Sequence, residues 1–261
     1  MTLKQLVNIY LKKGFSLQQA RYNAAQEVFV KTITKTKLKE TVIFKGGVVL
    51  FNLSKSIRRT TSDIDIDLVR FDISLDENIN RFVSFLNYQQ SISFEVIGEI
   101  KTLHHEDYKG KRINLRIEDD TYAIDIKIDI GIHTLFAIKQ STMLIDFSDS
   151  SNSYLININP IEQMISEKLL SLSKIGVVTT RYKDIYDIYY LLTNNKVQRD
   201  VLLTCVKLLS NNDVDSLIND ALFVLSDKRF VKRLIKSKTN WLGGVDDATV
   251  VDTITSFLLK I

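Results

Sequence analysis

Residues 63–68 read Asp-Ile-Asp-Ile-Asp-Leu. Strict alternation of acid and aliphatic side chains has the period of a β-strand. One face therefore carries Asp63, Asp65 and Asp67, and the other Ile64, Ile66 and Leu68. Same-face neighbours on a strand are about 7 Å apart. Aspartate is a poor strand former, and like charges so close repel. A chain tolerates such a face most readily where a cation offsets the charge. A second run, Ala-Ile-Asp-Ile-Lys-Ile-Asp-Ile over 123–130, sets Asp125, Lys127 and Asp129 on one face. If the two strands are neighbours, three carboxylates can hold two Mg²⁺ ions, which clamp the attacking and leaving oxygens of a phosphoryl transfer. The plainer alternative is two surface strands with solvated acidic faces.

Ahead of the first acidic strand stands a short apolar strand, 41–44, followed by Lys45-Gly46-Gly47 and a helix. Paired glycines let a backbone approach a phosphate closely, and a helix N-terminus offers free N–H groups. The turn is weak alone; its position 16 residues before Asp63 gives it weight.

The surroundings are those of an α/β protein of the α+β kind. Helices are expected over 2–13, ending at Gly14, and from an N-cap at Ser16 to about 36. Residues 76–89 read as a helix, and 91–100, 111–118 and 121–132 as strands; 141–154, rich in serine, reads as a loop or a short strand with turns. Pro160 opens a stretch that is helical throughout: 161–175, 182–193, 199–209, 214–225, 229–237 and 247–260. The expected organisation is a mixed sheet flanked by helices over 1–159, then an all-helical domain over 160–261. With 261 residues, 45% of them hydrophobic, both parts are long enough for cores. Lys and Arg number 35 against 31 acids, a net charge of +4 too mild to imply nucleic acid by itself. The single cysteine, Cys205, rules out an internal disulfide and reads as a core residue. No apolar run approaches the roughly 20 residues of a membrane span, and the N-terminus lacks a signal-peptide centre; a soluble cytoplasmic protein is expected.

The motifs in order resemble the AbiEii/AbiGii-type nucleotidyltransferase toxins, within the DNA polymerase β-like nucleotidyltransferases. The resemblance rests on Lys45-Gly46-Gly47 and Leu50, on Arg59-Thr60-Thr61-Ser62-Asp63-Ile64-Asp65, on Glu167-Lys168-Leu169, and on Arg181-Tyr182-Lys183-Asp184 with Asp187-Ile188. It covers 45–188 and implies transfer of a nucleoside monophosphate from an NTP to an acceptor, with pyrophosphate leaving. It implies Asp63 and Asp65 as the metal-binding pair, with Asp129 as third carboxylate and general base, and Asp125 as the alternative. It also implies nucleotide contacts from Lys45, Gly46, Gly47, Ser62, Lys168, Arg181 and Asp187, and a catalytic part for Lys168 and Asp184. The helical domain would complete the cleft. A toxin of a toxin–antitoxin system active in abortive phage infection, with a cognate antitoxin and a tRNA 3′ end as one acceptor, follows by the same resemblance. The family usually has Ser or Thr after the glycines; here Val48 removes that hydroxyl, so triphosphate binding leans on backbone N–H groups. Other readings are an antibiotic-type small-molecule nucleotidyltransferase, or a degenerate nucleotide-binding module.

Read physically, Lys168 is a compact charge on a packed stem. Asp184 and Asp187 share a helix face and can orient Lys168 or Arg181. The three histidines, His104, His105 and His133, read as structural or surface residues. No nucleophile-elbow, zinc or P-loop signature is present. Over 228–238 a basic helix aligns Lys228, Lys232 and Lys236, with Arg229 and Arg233 beside them, and Phe230, Val231, Leu234 and Ile235 expected on a core face. Such a row suits RNA phosphates, or is simply a solvated helix face.

Overall fold

The computed structural model describes residues 1–87, 91–104, 109–148 and 152–261. His105 lies outside them. Two helices open the chain. α1 (Leu3–Lys12) starts from a capping box between Thr2 and Gln5 and ends before Gly14, whose φ of +90° suits glycine. α2 (Leu17–Lys35) starts from the same device, Ser16 with Gln19.

Next come β1 (Val42–Lys45), α3 (Gly46–Ser54), β2 (Asp63–Leu68) and α4 (Asp76–Leu86). The strands β3 (Ser93–His104), β4 (Lys109–Asp119), β5 (Tyr122–Ile132), β6 (Ser141–Asp146) and β7 (Ser153–Ile158) complete one sheet. Among the described residues its order is β3-β4-β5-β2-β1-β7-β6. The pairs β2–β5 and β1–β7 are parallel and the rest antiparallel, so the sheet is mixed. Its apolar face carries Ile64, Ile66, Ile124, Ile126, Ile128 and Ile130, all nearly fully buried. Burying each aliphatic side chain contributes about 1.5–3 kcal/mol. α1 and α2 pack on β5, and Phe29 of α2 meets Phe44 of β1 edge to face, centroids 6.2 Å apart.

Of the two sequence readings of 141–154, a loop or a short strand with turns, the strand is found: 141–146 form β6 and 153–154 begin β7, an antiparallel pair whose inner strand β7 lies parallel to β1. Serine-rich composition argues for a loop, but Ile145, Ile156 and Ile158 are buried, and pairing to β1 outweighs local preference.

From Pro160 onward the described residues are helical: α5 (Ile161–Ile175), α6 (Tyr182–Asn194), α7 (Arg199–Leu209), α8 (Val214–Ser226), α9 (Lys228–Ser237) and α10 (Asp247–Leu258). The chain divides into two compact units, one of Met1–Phe136 with Gln140–Asn159 and one of Ala137–Lys139 with Pro160–Ile261. Cys205 is fully buried on α7. On α9 only Phe230 and Leu234 are buried; Ile235 is 52% exposed, so the core face is narrower than the sequence pattern suggests. Phe230 and Leu234, four apart, reach the core, while Val231 and Ile235 share the outer side with the lysines. No helix among the described residues is long and apolar enough to cross a membrane.

Candidate active site

β2 brings its aspartates to the polar face of the sheet. The parallel register pairs Asp63 with Lys127, Asp65 with Asp129 and Asp67 with Gly131. Neighbouring strands lie about 4.8 Å apart, so Asp65 and Asp129 are side-by-side acids on one face. Asp125 falls beyond the start of β2, about 13 Å along β5 from Asp129.

Asp65 is the most constrained of the set. A Cβ on Gly46 would lie 2.0 Å from its Oδ2, and Gly46 has φ +62°. Glycine is therefore required there twice over, by backbone conformation and by space. The Gly47 amide, in the first turn of α3, donates to the Asp65 carboxylate. A Cβ on Gly47 would stand 2.4 Å from Cβ of Thr61. The paired glycines thus let the β1–α3 turn press onto the start of β2. The segment ahead of β2 is held by α2: Gln26 Nε2 donates to the Thr61 carbonyl at 3.0 Å, and Gln19 Nε2 to Thr60 Oγ1 at 3.1 Å. Ser62 is exposed and its Oγ donates to Asp63 Oδ1 at 3.0 Å. Val48 is buried, a core residue on α3.

Burial first, then the charge of Asp129, raises the Asp65 carboxyl above its ordinary range; Lys45 and the Gly47 amide pull it back, and Asp63 adds to the rise. Two cations offset this acidity. Lys45, opposite Asp65 across β1–β2, directs its Nζ to Asp67 Oδ1 at 2.7 Å. Asp67, the extra acid of the strand, is buried and serves as that lysine's partner. Arg112 on β4 grips Asp129 with both arms, Nε to Oδ1 and Nη2 to Oδ2, each at 2.6 Å. Arg116 holds Asp125 the same way at 2.9 and 3.1 Å.

Neither arginine is singled out by the sequence patterns. Yet a signal exists: Asp119 accepts the amides of Thr121 and Tyr122, closing a tight turn that fixes the β4–β5 register. Once that turn is recognised, Arg112 falls opposite Asp129 and Arg116 opposite Asp125.

The donor set fits a hard divalent cation in part. Asp63 and Asp65 are acids on one face, and Asp65 stands beside the carboxylate of Asp129, a crowding of like charge that a metal relieves. Asp129 is committed to Arg112. Among the described residues no three His, Cys, Asp or Glu side chains are gathered as a ready cage. His133, at the end of β5, is buried with Nε2 3.1 Å from Gln140 Nε2, and burial lowers its pKa.

The remaining predicted residues lie in the helical unit. There Lys168 of α5 places Nζ 2.5 Å from Asp184 Oδ1 and 2.9 Å from Asp187 Oδ2, both on α6. Arg181, the N-cap of α6, pairs with Asp184 Oδ2 at 2.9 Å. Asp187 is fully buried and also accepts the Trp241 indole N–H at 3.1 Å. Two cations and two acids so arranged are locally neutral and fasten α5 to α6. Trp241 carries no sequence signal for this part, being a lone residue in a loop.

A family model described as the nucleotidyl transferase AbiEii toxin of the type IV toxin–antitoxin system matches residues 28–247. Among solved structures, JHP933 from Helicobacter pylori aligns over 94% of this chain and 95% of its own, at 18% identity and TM-score 0.47. An antigenic nucleotidyltransferase-like protein from Paracoccidioides brasiliensis aligns over 72% of this chain and 90% of its own, at 17% identity and TM-score 0.43. No curated protein matches at a significant level.

Proposed function

The chain belongs to the AbiEii nucleotidyl transferase toxin family, and from that premise we propose that it transfers a nucleoside monophosphate from an NTP to an acceptor, releasing pyrophosphate, with Asp63 and Asp65 as its cation-holding pair. Family membership makes it a nucleotidyltransferase and implies an NTP as substrate and a cognate antitoxin. The observation that carries the site assignment is the register of Asp129 beside Asp65, with the Gly46-Gly47 turn pressed on the same carboxylate.

Asp129 is our third carboxylate and the proposed acceptor of the proton of an acceptor hydroxyl. Asp125 is disfavoured by its distance along β5, beyond the residues that pair with β2. A divalent cation at Asp63 and Asp65, Mg²⁺ in our proposal and two ions in the full reaction, would neutralise triphosphate charge and the leaving pyrophosphate. The Gly46-Gly47 backbone and the exposed Ser62 hydroxyl are the proposed phosphate contacts. Lys45, spent on Asp67, acts through the field it exerts on Asp65. In the helical unit, Arg181 is 58% exposed and is the proposed nucleotide contact, with Lys168, Asp184 and Asp187 holding it in position.

For the acceptor we propose RNA, a tRNA 3′ end being one form of it, in a toxin acting in abortive phage infection. Support comes from Lys228, Lys232 and Lys236 of α9, a cationic row on the helix face. The test is incubation with each labelled NTP, Mg²⁺ and total tRNA or small hydroxyl acceptors. Label should appear in RNA, and Asp63→Ala and Asp65→Ala should abolish it while remaining folded. Label on a small acceptor alone would sink the RNA assignment, and NTP binding with no label anywhere would sink transfer itself. Growth arrest on expression, relieved by the same variants, would tie toxicity to the chemistry; arrest persisting in a folded double mutant would break that tie.

A further inference from the structure

The Arg112–Asp129 pair is accessible: 40% of the arginine side chain and 23% of the aspartate are exposed. Its geometry is nevertheless the strong bidentate form, and it takes up the inner edge of both carboxylate oxygens. Arg112 stands in a field of three acids, since Asp63 and Asp65 act on it besides Asp129. Arg112 is ion-paired to Asp129, and Lys45 to Asp67. Asp129 accepts from Arg112 of β4 with both carboxylate oxygens.

We infer that Arg112 is a positioning residue that occupies both oxygens of Asp129 beside the Asp63–Asp65 pair, and that a divalent cation competes with this arginine for Asp129 when it binds. The inference rests on the reading of Asp63, Asp65 and Asp129 as the cation-binding carboxylates. Two positive groups compete for one carboxylate. The half-exposed arginine has water to turn into once the cation takes its partner. Arg112 thereby keeps the acids tolerable to one another before the cation arrives, and sets how tightly the cation is held.

Mn²⁺ binding to the purified full chain, followed by calorimetry or by electron paramagnetic resonance, tests this without any turnover. Arg112→Ala should bind Mn²⁺ about fivefold more tightly. Arg112→Lys, a point charge without the fork, should fall between it and the parent. Removing a positive charge near acids would tighten binding by general attraction alone, so the deciding comparison is made in the Asp129→Asn background. There the gain from Arg112→Ala should shrink to that general part. An equal gain with and without the Asp129 carboxylate, or unchanged or weaker binding in Arg112→Ala, overturns the inference. Asp65→Asn separates the two levels. If it abolishes Mn²⁺ binding while Arg112→Ala does nothing, only the role of Arg112 falls; if it leaves binding intact, the carboxylate assignment falls with it.

Discussion

Lys45 of β1 reaches across to Asp67 of β2, Nζ to Oδ1 at 2.7 Å, in a pair that is mostly buried. It converts the third acid of an acidic strand into a structural partner, so that Asp63 and Asp65 are the acids of β2 proposed to hold a cation. Lys45→Met should destabilise the protein by about 3 kcal/mol, because it leaves a buried charge uncompensated. The double variant Lys45→Met/Asp67→Leu should recover most of that loss. Urea unfolding measures both, and a single variant as stable as the parent would show that Asp67 needs no counter-charge.

Gly46→Ala is expected to strike activity harder than stability. The left-handed φ of +62° costs alanine about 1 kcal/mol, while the new Cβ must displace an oxygen 2.0 Å away on Asp65. A displaced carboxylate should lower transfer about a hundredfold. Gly14→Ala is the matched control: its φ is +90° with nothing within 4 Å of the new atom. It should lose similar stability and keep full activity. Equal activity loss in both variants would remove Asp65 from the explanation.

Burial first, then Glu162 and Glu167, pushes the Cys205 thiol up to about 12 from an ordinary 9.0. Because the folded value lies above the unfolded one, the protonated thiol contributes stability that is fully present below pH 9 and is lost as pH rises through about 12. Relative to Cys205→Val, the parent should therefore lose stability only in that alkaline window. At pH 7 a thiol reagent should label Cys205 no faster than the chain unfolds; rapid labelling of folded protein would contradict the buried, protonated state.

On α9, Arg229 is paired with Asp227 at 3.0 Å, and Arg233 donates to the Val177 carbonyl. The lysines of the outer stripe are the better probes of an RNA surface. Replacing Lys228, Lys232 and Lys236 with Gln should weaken RNA binding and reduce its salt slope by about 2 to 3, without changing NTP affinity. An unchanged slope would mean that RNA docks elsewhere.

Much of this protein is written locally. The acid–aliphatic alternation of 63–68 and 123–130 needs only the two-residue period of a strand to sort carboxylates from isoleucines, and both strands form with those faces. Thr2, Ser16 and Gly14 mark helix ends by chemistry that acts within a turn, and the helical run after Pro160 is periodic enough to read directly. The serine-rich stretch after 140 could not be read so, because β6 and β7 are strands by virtue of what lies beside them rather than of what they contain.

The pairings were decided in three dimensions. Nothing within six residues of Asp67 announces Lys45, which stands 22 positions earlier, and Arg112 meets Asp129 across 17. Side chains so far apart are brought together by strand order and register, and these follow from burying the isoleucine face against α1 and α2. Sequence determined which groups are charged and on which face they stand. Tertiary structure decided which charges neutralise each other, because that depends on distances of a few ångströms set by the sheet as a whole.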